Sequence, residues 1–83
     1  MLQDKTRLFN IDDINTKAVK AMLAEVYDAL EERGYNPNNQ IVGYLISGDP
    51  GYISSYKGAR NKIQETDRAK IVEILLREFQ RND

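Results

Sequence analysis

The sequence predicts an all-α protein, with four to five helices and short connections in one compact domain. Three observations predict this class. Apolar residues recur at helical spacing in two long stretches of the chain. Two Gly/Asx-Pro clusters carry the residues that end one helix and begin another. No segment alternates apolar and polar residues with the period of two that is typical of a strand.

Residues 1–13 contain only scattered apolar side chains, without a helical stripe. We interpret them as a flexible or loosely docked arm, and we expect the helical domain to occupy residues 14–83. The first helix is predicted to begin near Asn15 or Thr16, since either residue can cap it. Its apolar residues recur at spacings of three and four and define one face: Val19, Met22, Leu23, Val26, Tyr27 and Leu30.

The end of the first helix is marked by Arg33, Gly34 and Tyr35. A base in the last turn suits the helix dipole, Gly34 can adopt the left-handed C′ conformation, and Tyr35 can make the apolar C″ contact. Asn36 can then cap the second helix, with Pro37 at its first position, where a missing N–H costs nothing.

The second helix is predicted over residues 37–47, and it carries no charged residue. Apolar groups nearly all round predict a helix that is buried on several sides. Because glycine costs about 1 kcal/mol relative to alanine inside a helix, Gly43 indicates the close approach of another element. The same pattern of helix-ending and helix-starting residues then recurs: Gly48 is predicted to end the second helix, and Asp49-Pro50 to begin the next element.

The last third of the chain is predicted to hold a glycine-broken turn and two further helices. Tyr52, Ile53 and Tyr56 belong to the turn, and residues 59–65 form a short helix that directs Ile63 inward. Thr66 can cap a last helix that begins at Asp67. Its main apolar stripe is Val72, Leu75, Leu76 and Phe79, which Ile71 and Ile74 widen. The excess width is consistent with a dimer face, or with a broad buried stripe in a tight monomer.

The composition excludes several classes of chemistry. The 83 residues include no His, no Cys and no Trp. Catalytic systems built on His or Cys, and the usual zinc and haem sites, are therefore absent, and we expect no enzyme activity, cofactor or metal. A domain of this size buries a small core and cannot use disulfides, which favours a homodimer. We find no membrane-length apolar stretch and no signal peptide, so we expect a cytoplasmic protein without membrane insertion.

The charges are balanced overall but unevenly placed. Lys and Arg number 12 against 13 Asp and Glu, and this argues against a protein that captures nucleic acid by net charge. The first helix is mainly acidic, whereas five bases lie within residues 57–70: Lys57, Arg60, Lys62, Arg68 and Lys70. We expect most of these bases to pair with the acidic first helix. The alternative is a nucleic-acid-binding helical protein that uses this basic segment, although the candidate recognition helix carries no base.

Arg60 is the exception among these bases, because it lies in a glycine-rich segment near Tyr52 and Tyr56. Its guanidinium could stack on a ring or bind an anion. Lys57 and Lys62 are further candidates for binding a partner or an anion. On the predicted arm, Thr6 is flanked by charged residues and would be accessible to a kinase.

The central block resembles one family closely. It reads Gly-Tyr-Asn-Pro-Asn-Asn-Gln-Ile-Val-Gly-Tyr-Leu-Ile-Ser-Gly-Asp-Pro-Gly-Tyr-Ile over residues 34–53, followed by Ala-Arg-Asn at 59–61. This block, with Val-Tyr-Asp-Ala-Leu-Glu-Glu at 26–32 and Thr-Arg-Leu-Phe at 6–9, resembles the IreB family of small regulatory phosphoproteins from low-GC Gram-positive bacteria.

The resemblance implies a compact helical homodimer without known catalysis. It further implies phosphorylation of an N-terminal threonine, here Thr6, by a transmembrane Ser/Thr kinase and its reversal by a PP2C-type phosphatase. The role implied is negative regulation of cephalosporin resistance within the cell-envelope stress response. A downstream protein partner is expected, but its identity is unknown.

Overall fold

The computed structural model describes residues 11–81, which form four α-helices with short connections. Helix α1 covers Ile11–Glu32, α2 covers Pro37–Ser47, α3 covers Ala59–Ile63 and α4 covers Arg68–Arg81. Two single 3-10 turns, Pro50–Tyr52 and Tyr56–Gly58, lie between α2 and α3. No strand occurs in this described range, and the predicted all-α class is confirmed.

Helix α1 contains Asn15 and Thr16 well inside it, so the predicted start at these residues is wrong. The helix also takes in residues 11–13, which the sequence pattern placed in the arm; the rest of that arm lies outside the described residues. A capping preference is worth only about 1 kcal/mol, and tertiary packing overrides it. Thr16 instead faces α4, where its hydroxyl accepts a hydrogen bond from Arg77 at 3.4 Å.

The core is built around α1, against which α2, α3 and α4 all pack. The predicted apolar face of α1 is largely confirmed, although Leu23 is only partly buried and Tyr27 is 38% exposed. An ion pair between Lys20 and Glu78, at 3.1 Å, also joins α1 to α4. The buried apolar side chains form one cluster: Val19, Met22, Val26, Ala29, Leu30, Tyr44, Ile53, Ala59, Ile63, Ile71 and Ile74.

The connection from α1 to α2 follows the sequence prediction closely. Gly34 has a φ of 89°, and its N–H donates to the carbonyl of Glu31 at 3.0 Å. The N–H of Tyr35 donates to the carbonyl of Leu30, also at 3.0 Å, which completes a Schellman motif. Asn36 caps α2 through its Oδ1, which accepts the Asn39 N–H at 3.1 Å.

Helix α2 is less buried than predicted. Its Tyr44 is buried, but Val42 is 51% exposed and Ile46 is 79% exposed, so the prediction of burial on several sides is wrong. Lack of charge does not by itself place a helix in the interior. The predicted close approach at Gly43 is confirmed, because a Cβ there would lie 2.5 Å from Cδ1 of Tyr52.

Helix α4 begins at Arg68, one residue later than predicted, and turns a different face inward than expected. Ile71 and Ile74 are fully buried, as is Ile63 of α3. The four residues of the predicted main stripe are instead exposed, by 41% to 64%: Val72, Leu75, Leu76 and Phe79. The described part of the chain therefore leaves an apolar face of α4 open to solvent.

Candidate anion-binding site

The segment between α2 and α3 folds over the end of α1 and forms one wall of an open pocket. It is shaped by its own backbone: Asp49 Oδ1 accepts the Gly51 N–H at 2.8 Å, and the Ile53 N–H donates to the Pro50 carbonyl at 3.0 Å. Ile53 and Ala59 are fully buried and fasten the segment to the core. The pocket wall is therefore held by buried side chains as well as by hydrogen bonds.

Arg60, on the first turn of α3, reaches back across this segment. Its Nε donates to the carbonyl of Ile53 at 2.8 Å, and its backbone N–H donates to the carbonyl of Ser54 at 3.1 Å. The side chain is half-buried. Among the described residues, the two terminal guanidinium nitrogens of Arg60 have no hydrogen-bonding partner. The bond at Nε thus fixes the guanidinium while leaving its outer edge able to donate.

Arg33, just after α1, supplies a second guanidinium. Its Cζ lies 5.1 Å from the centre of the Tyr56 ring, within the range of a cation–π contact. No acidic side chain in the described range forms an ion pair with Arg33 or with Arg60. Arg33 and Arg60 both line one pocket, so two positive charges without an ion-pair partner in the described range border the same space.

Together these groups line a solvent-open pocket of about 450 Å³. Among the described residues, the lining contains two guanidinium groups and several hydroxyls, and it contains no acid. Ser54 Oγ accepts the Tyr56 N–H at 3.1 Å, which leaves its own O–H free to donate. The chemistry of this lining suits a small anion rich in oxygen. The lining residues are Arg33, Tyr35, Gln40, Gly51, Ser54, Ser55, Tyr56 and Arg60.

Lys57 and Glu32 form an ion pair beside this pocket. Lys57 Nζ lies 2.8 Å from Glu32 Oε1, and the Tyr56 hydroxyl donates to Glu32 Oε2 at 3.0 Å. These two hydrogen bonds, that of Lys57 first, lower the pKa of Glu32, and the pair with Glu32 raises the pKa of Lys57. Lys57 has a φ of 52°, a left-handed conformation that costs a non-glycine residue about 1 kcal/mol. The Glu32 carboxylate beside the pocket is therefore already engaged by two donors, Lys57 and Tyr56.

The remaining bases of residues 57–70 also have contacts within the fold. Lys62 pairs with Glu25 of α1 at 3.3 Å, and Lys70 pairs with Glu73 at 3.5 Å. Arg68 donates to the carbonyl of Leu45 at 3.1 Å. The predicted pairing with the acidic first helix is thus confirmed for Lys57 and Lys62. No contact in the described range favours the nucleic-acid alternative, since most of this segment's cationic charge is engaged.

The structure brings together only part of the predicted site. Tyr56 and Arg60 line the pocket, whereas Tyr52 packs on Gly43 of α2 and is not part of the lining. Sequence reasoning missed Arg33, whose place after the helix suggested only a contact with the dipole. It also missed Gln40, Ser54 and Ser55, which carried no pattern that could have singled them out. Thr6 lies outside the described residues.

Residues 11–81 contain neither a cluster of metal ligands nor a helix suited to a bilayer. No group of three or more Asp or Glu side chains within this range is arranged to hold a metal ion. None of its helices combines the length and apolar character required to cross a membrane.

The described residues form a small helical domain with a solvent-open pocket that Arg33 and Arg60 line. Comparison with family models identifies its class, because the IreB regulatory phosphoprotein model matches residues 4–81. The chain belongs to the IreB family. The match covers Thr6 and all of the described residues, and it confirms the resemblance in the central block.

Proposed function

We propose that this chain is a non-enzymatic regulatory phosphoprotein of the cytoplasm that is phosphorylated on Thr6. A transmembrane Ser/Thr kinase adds the phosphate and a cognate PP2C-type phosphatase removes it. The observation that carries the proposal is the family match over residues 4–81, which includes Thr6. A sequence without His or Cys is consistent with a role that depends on binding.

The signalling role we propose is negative regulation of cephalosporin resistance within the cell-envelope stress response, through a downstream protein. Support comes from the family match, together with a central block, residues 34–53, that resembles the family over twenty consecutive positions and is uncharged from residue 34 to 48. In the fold, this block supplies α2 and the turn that leads to the pocket. The block therefore has a structural role in presenting the binding surface.

We propose that the working form is a homodimer that uses the exposed face of α4. Val72, Leu75, Leu76 and Phe79 follow one another at helical spacing and are 41% to 64% exposed. A contiguous apolar stripe on a small domain is typical of an interaction surface. Covering it would add buried area to a core that is small for an independent domain.

The kinase encoded in the same genome, incubated with the full chain, provides the direct test. Phosphosite mapping is expected to find phosphate on Thr6 and none in a Thr6→Ala variant. Thr16→Ala is the matched control, because Thr16 is half-buried beside Arg77 in the folded domain and its loss should leave labelling unchanged. Labelling confined to residues of the fold, or no labelling, would overturn the proposal.

A further inference from the structure

The pocket at Arg33 and Arg60 has the composition of a site for a phosphate dianion. Two guanidinium groups line it, and each can offer paired N–H donors to phosphate oxygens. Ser54 and Ser55 add hydroxyl donors, and Gln40 adds an amide. Glu32, an acid beside the pocket, is held by Lys57 and Tyr56. An entering anion therefore meets positive charge without a competing carboxylate in the lining.

The site is also partly organised before any ligand enters. The Nε bond from Arg60 to the Ile53 carbonyl, at 2.8 Å, fixes the direction of that guanidinium. Ile53 is fully buried, so its carbonyl belongs to a rigid part of the fold. A donor group that is already oriented loses less conformational entropy when a ligand binds.

The charge of the N-terminal residues matches a phosphate-dependent interaction. Residues 1–10 contain one acid, Asp4, against two bases, Lys5 and Arg7, which gives a net charge of +1 without counting the amino terminus. Phosphate on Thr6 would add about −1.5 to −2 and reverse that sign. The unmodified segment would be repelled by two arginines, and the phosphorylated segment would be attracted.

Chain length prevents Thr6 from reaching the pocket of its own molecule. Thr6 precedes Ile11 by five residues, and fully extended these span at most about 17 Å. The pocket lies at the other end of α1, a helix of 22 residues, which spans about 33 Å at 1.5 Å per residue. A phosphate on Thr6 can therefore enter only the pocket of another copy.

We propose that the Arg33–Arg60 pocket binds the phosphorylated Thr6 segment of a second copy of this chain. Phosphorylation would then link copies in trans, and the bound phosphate would be the signal that assembles them. The inference rests on the proposed function only in that Thr6 is the phosphorylated residue.

The test uses N-terminally acetylated synthetic peptides of residues 1–10, titrated into the unmodified full chain and followed by calorimetry and by NMR. The Thr6-phosphorylated peptide is expected to bind at least ten-fold more tightly than the unmodified peptide, and to shift the signals of Ser54 and Ser55. Binding should weaken as salt is added, since charged groups provide much of the attraction. Equal affinity for the two peptides would overturn the proposal.

Variants assign the binding to the pocket. Arg33→Gln and Arg60→Gln are each expected to reduce affinity at least ten-fold, and Arg60→Lys should retain only part of it, because lysine lacks the planar fork. Arg33 is exposed, so Arg33→Gln should stay folded. This variant keeps the test decisive if Arg60→Gln unfolds because it loses the hydrogen bond to Ile53. Arg81→Gln, on the exposed end of α4, is the control for loss of one charge and should bind as wild type. Unchanged affinity in the Arg33 variant would contradict the assignment.

Two further binding measurements identify the source of the phosphate. A scrambled peptide with the same phosphothreonine should bind at least five-fold more weakly, and inorganic phosphate should compete only at much higher concentration. Equal binding of the scrambled peptide would show that the pocket accepts phosphothreonine from other proteins, and the second-copy assignment would be wrong. Because the peptides are synthetic, their binding is independent of the kinase test. Failure of Thr6 labelling and failure of the pocket can thus be told apart.

Discussion

The contact between Gly43 and Tyr52 gives a prediction whose sign depends on the tertiary structure. Gly43 lies inside α2, where any residue could take its backbone conformation. A Cβ at this position would lie 2.5 Å from Cδ1 and 2.7 Å from Cε1 of the Tyr52 ring. Ordinary carbon contacts are about 3.5–4.0 Å, so a Gly43→Ala variant must displace the ring by about 1 Å or more.

Two opposing terms set the expected size of the effect. Alanine is favoured over glycine inside a helix by about 1 kcal/mol. Tyr52 is 47% exposed, so roughly half of its side chain is in contact with protein. Losing that contact costs about 1–2 kcal/mol, from the value of fully burying an aromatic ring. The Gly43→Ala variant should therefore lower the free energy of unfolding slightly, by about 0–1 kcal/mol. In a Tyr52→Ala background the same change should raise it by about 1 kcal/mol.

Urea unfolding of the four proteins in this cycle, followed by circular dichroism, measures the coupling, which we expect to be about 1–2 kcal/mol. Gly34→Ala is the matched control. Gly34 has a φ of 89°, and a Cβ added there would meet no atom within 4 Å, so alanine should cost about 1 kcal/mol of backbone strain in either background. If Gly43→Ala stabilised both backgrounds equally, the inferred packing of Tyr52 on α2 would be wrong.

Three further predictions concern a cap, an ion pair and a surface. Asn36→Ala should lower the free energy of unfolding by about 1 kcal/mol in urea, because the cap of α2 is lost; an unchanged midpoint would contradict this. The pKa of Glu32 is lowered from its ordinary value of 4.5. The pair with Lys57 therefore stabilises the fold fully when the pH is above that value, and this stabilisation is lost as the pH falls through the lowered pKa. Glu32→Gln should therefore flatten the loss of stability on acidification, measured by urea midpoints from about pH 6 to 3; equal slopes in both proteins would refute the pair's contribution. Leu76→Asp should shift a homodimer to monomer in light scattering while Gln80→Asp does not, and a dimer in both variants would place the interface elsewhere.

Local signals predicted the connection between α1 and α2 well. Gly34 and Tyr35 end one helix and Asn36 and Pro37 begin the next, with the hydrogen bonds that this order of residues predicts. The interactions involved join residues that are no more than five positions apart, so the sequence contains both partners within a short window. Capping residues alone do not locate the start of a helix. Asn15 and Thr16 are typical capping residues, but they lie within α1.

The candidate site was predictable only in part. Arg60 was singled out because it lies in a glycine-rich segment near Tyr52 and Tyr56, and it does line the pocket. Arg33 lies 27 positions earlier in the chain, and nothing local connects the two residues. Their proximity follows from burial of Ile53 and Ala59, which bring the connecting segment against the end of α1.

By itself, the sequence determined the all-α class, the ends of α2, the close approach of another element at Gly43 and the absence of His and Cys chemistry. Periodicity and caps act within a few residues, so their effects can be predicted from short stretches of sequence. Only the tertiary structure decided which face of α4 is buried, because six apolar residues define a stripe too broad to fix the rotation of the helix. Packing on α1 selected Ile71 and Ile74 and left Leu76 and Phe79 in solvent. It likewise decided that Lys57 is paired while Arg33 and Arg60 stay open, since charges compensate one another through space rather than along the chain.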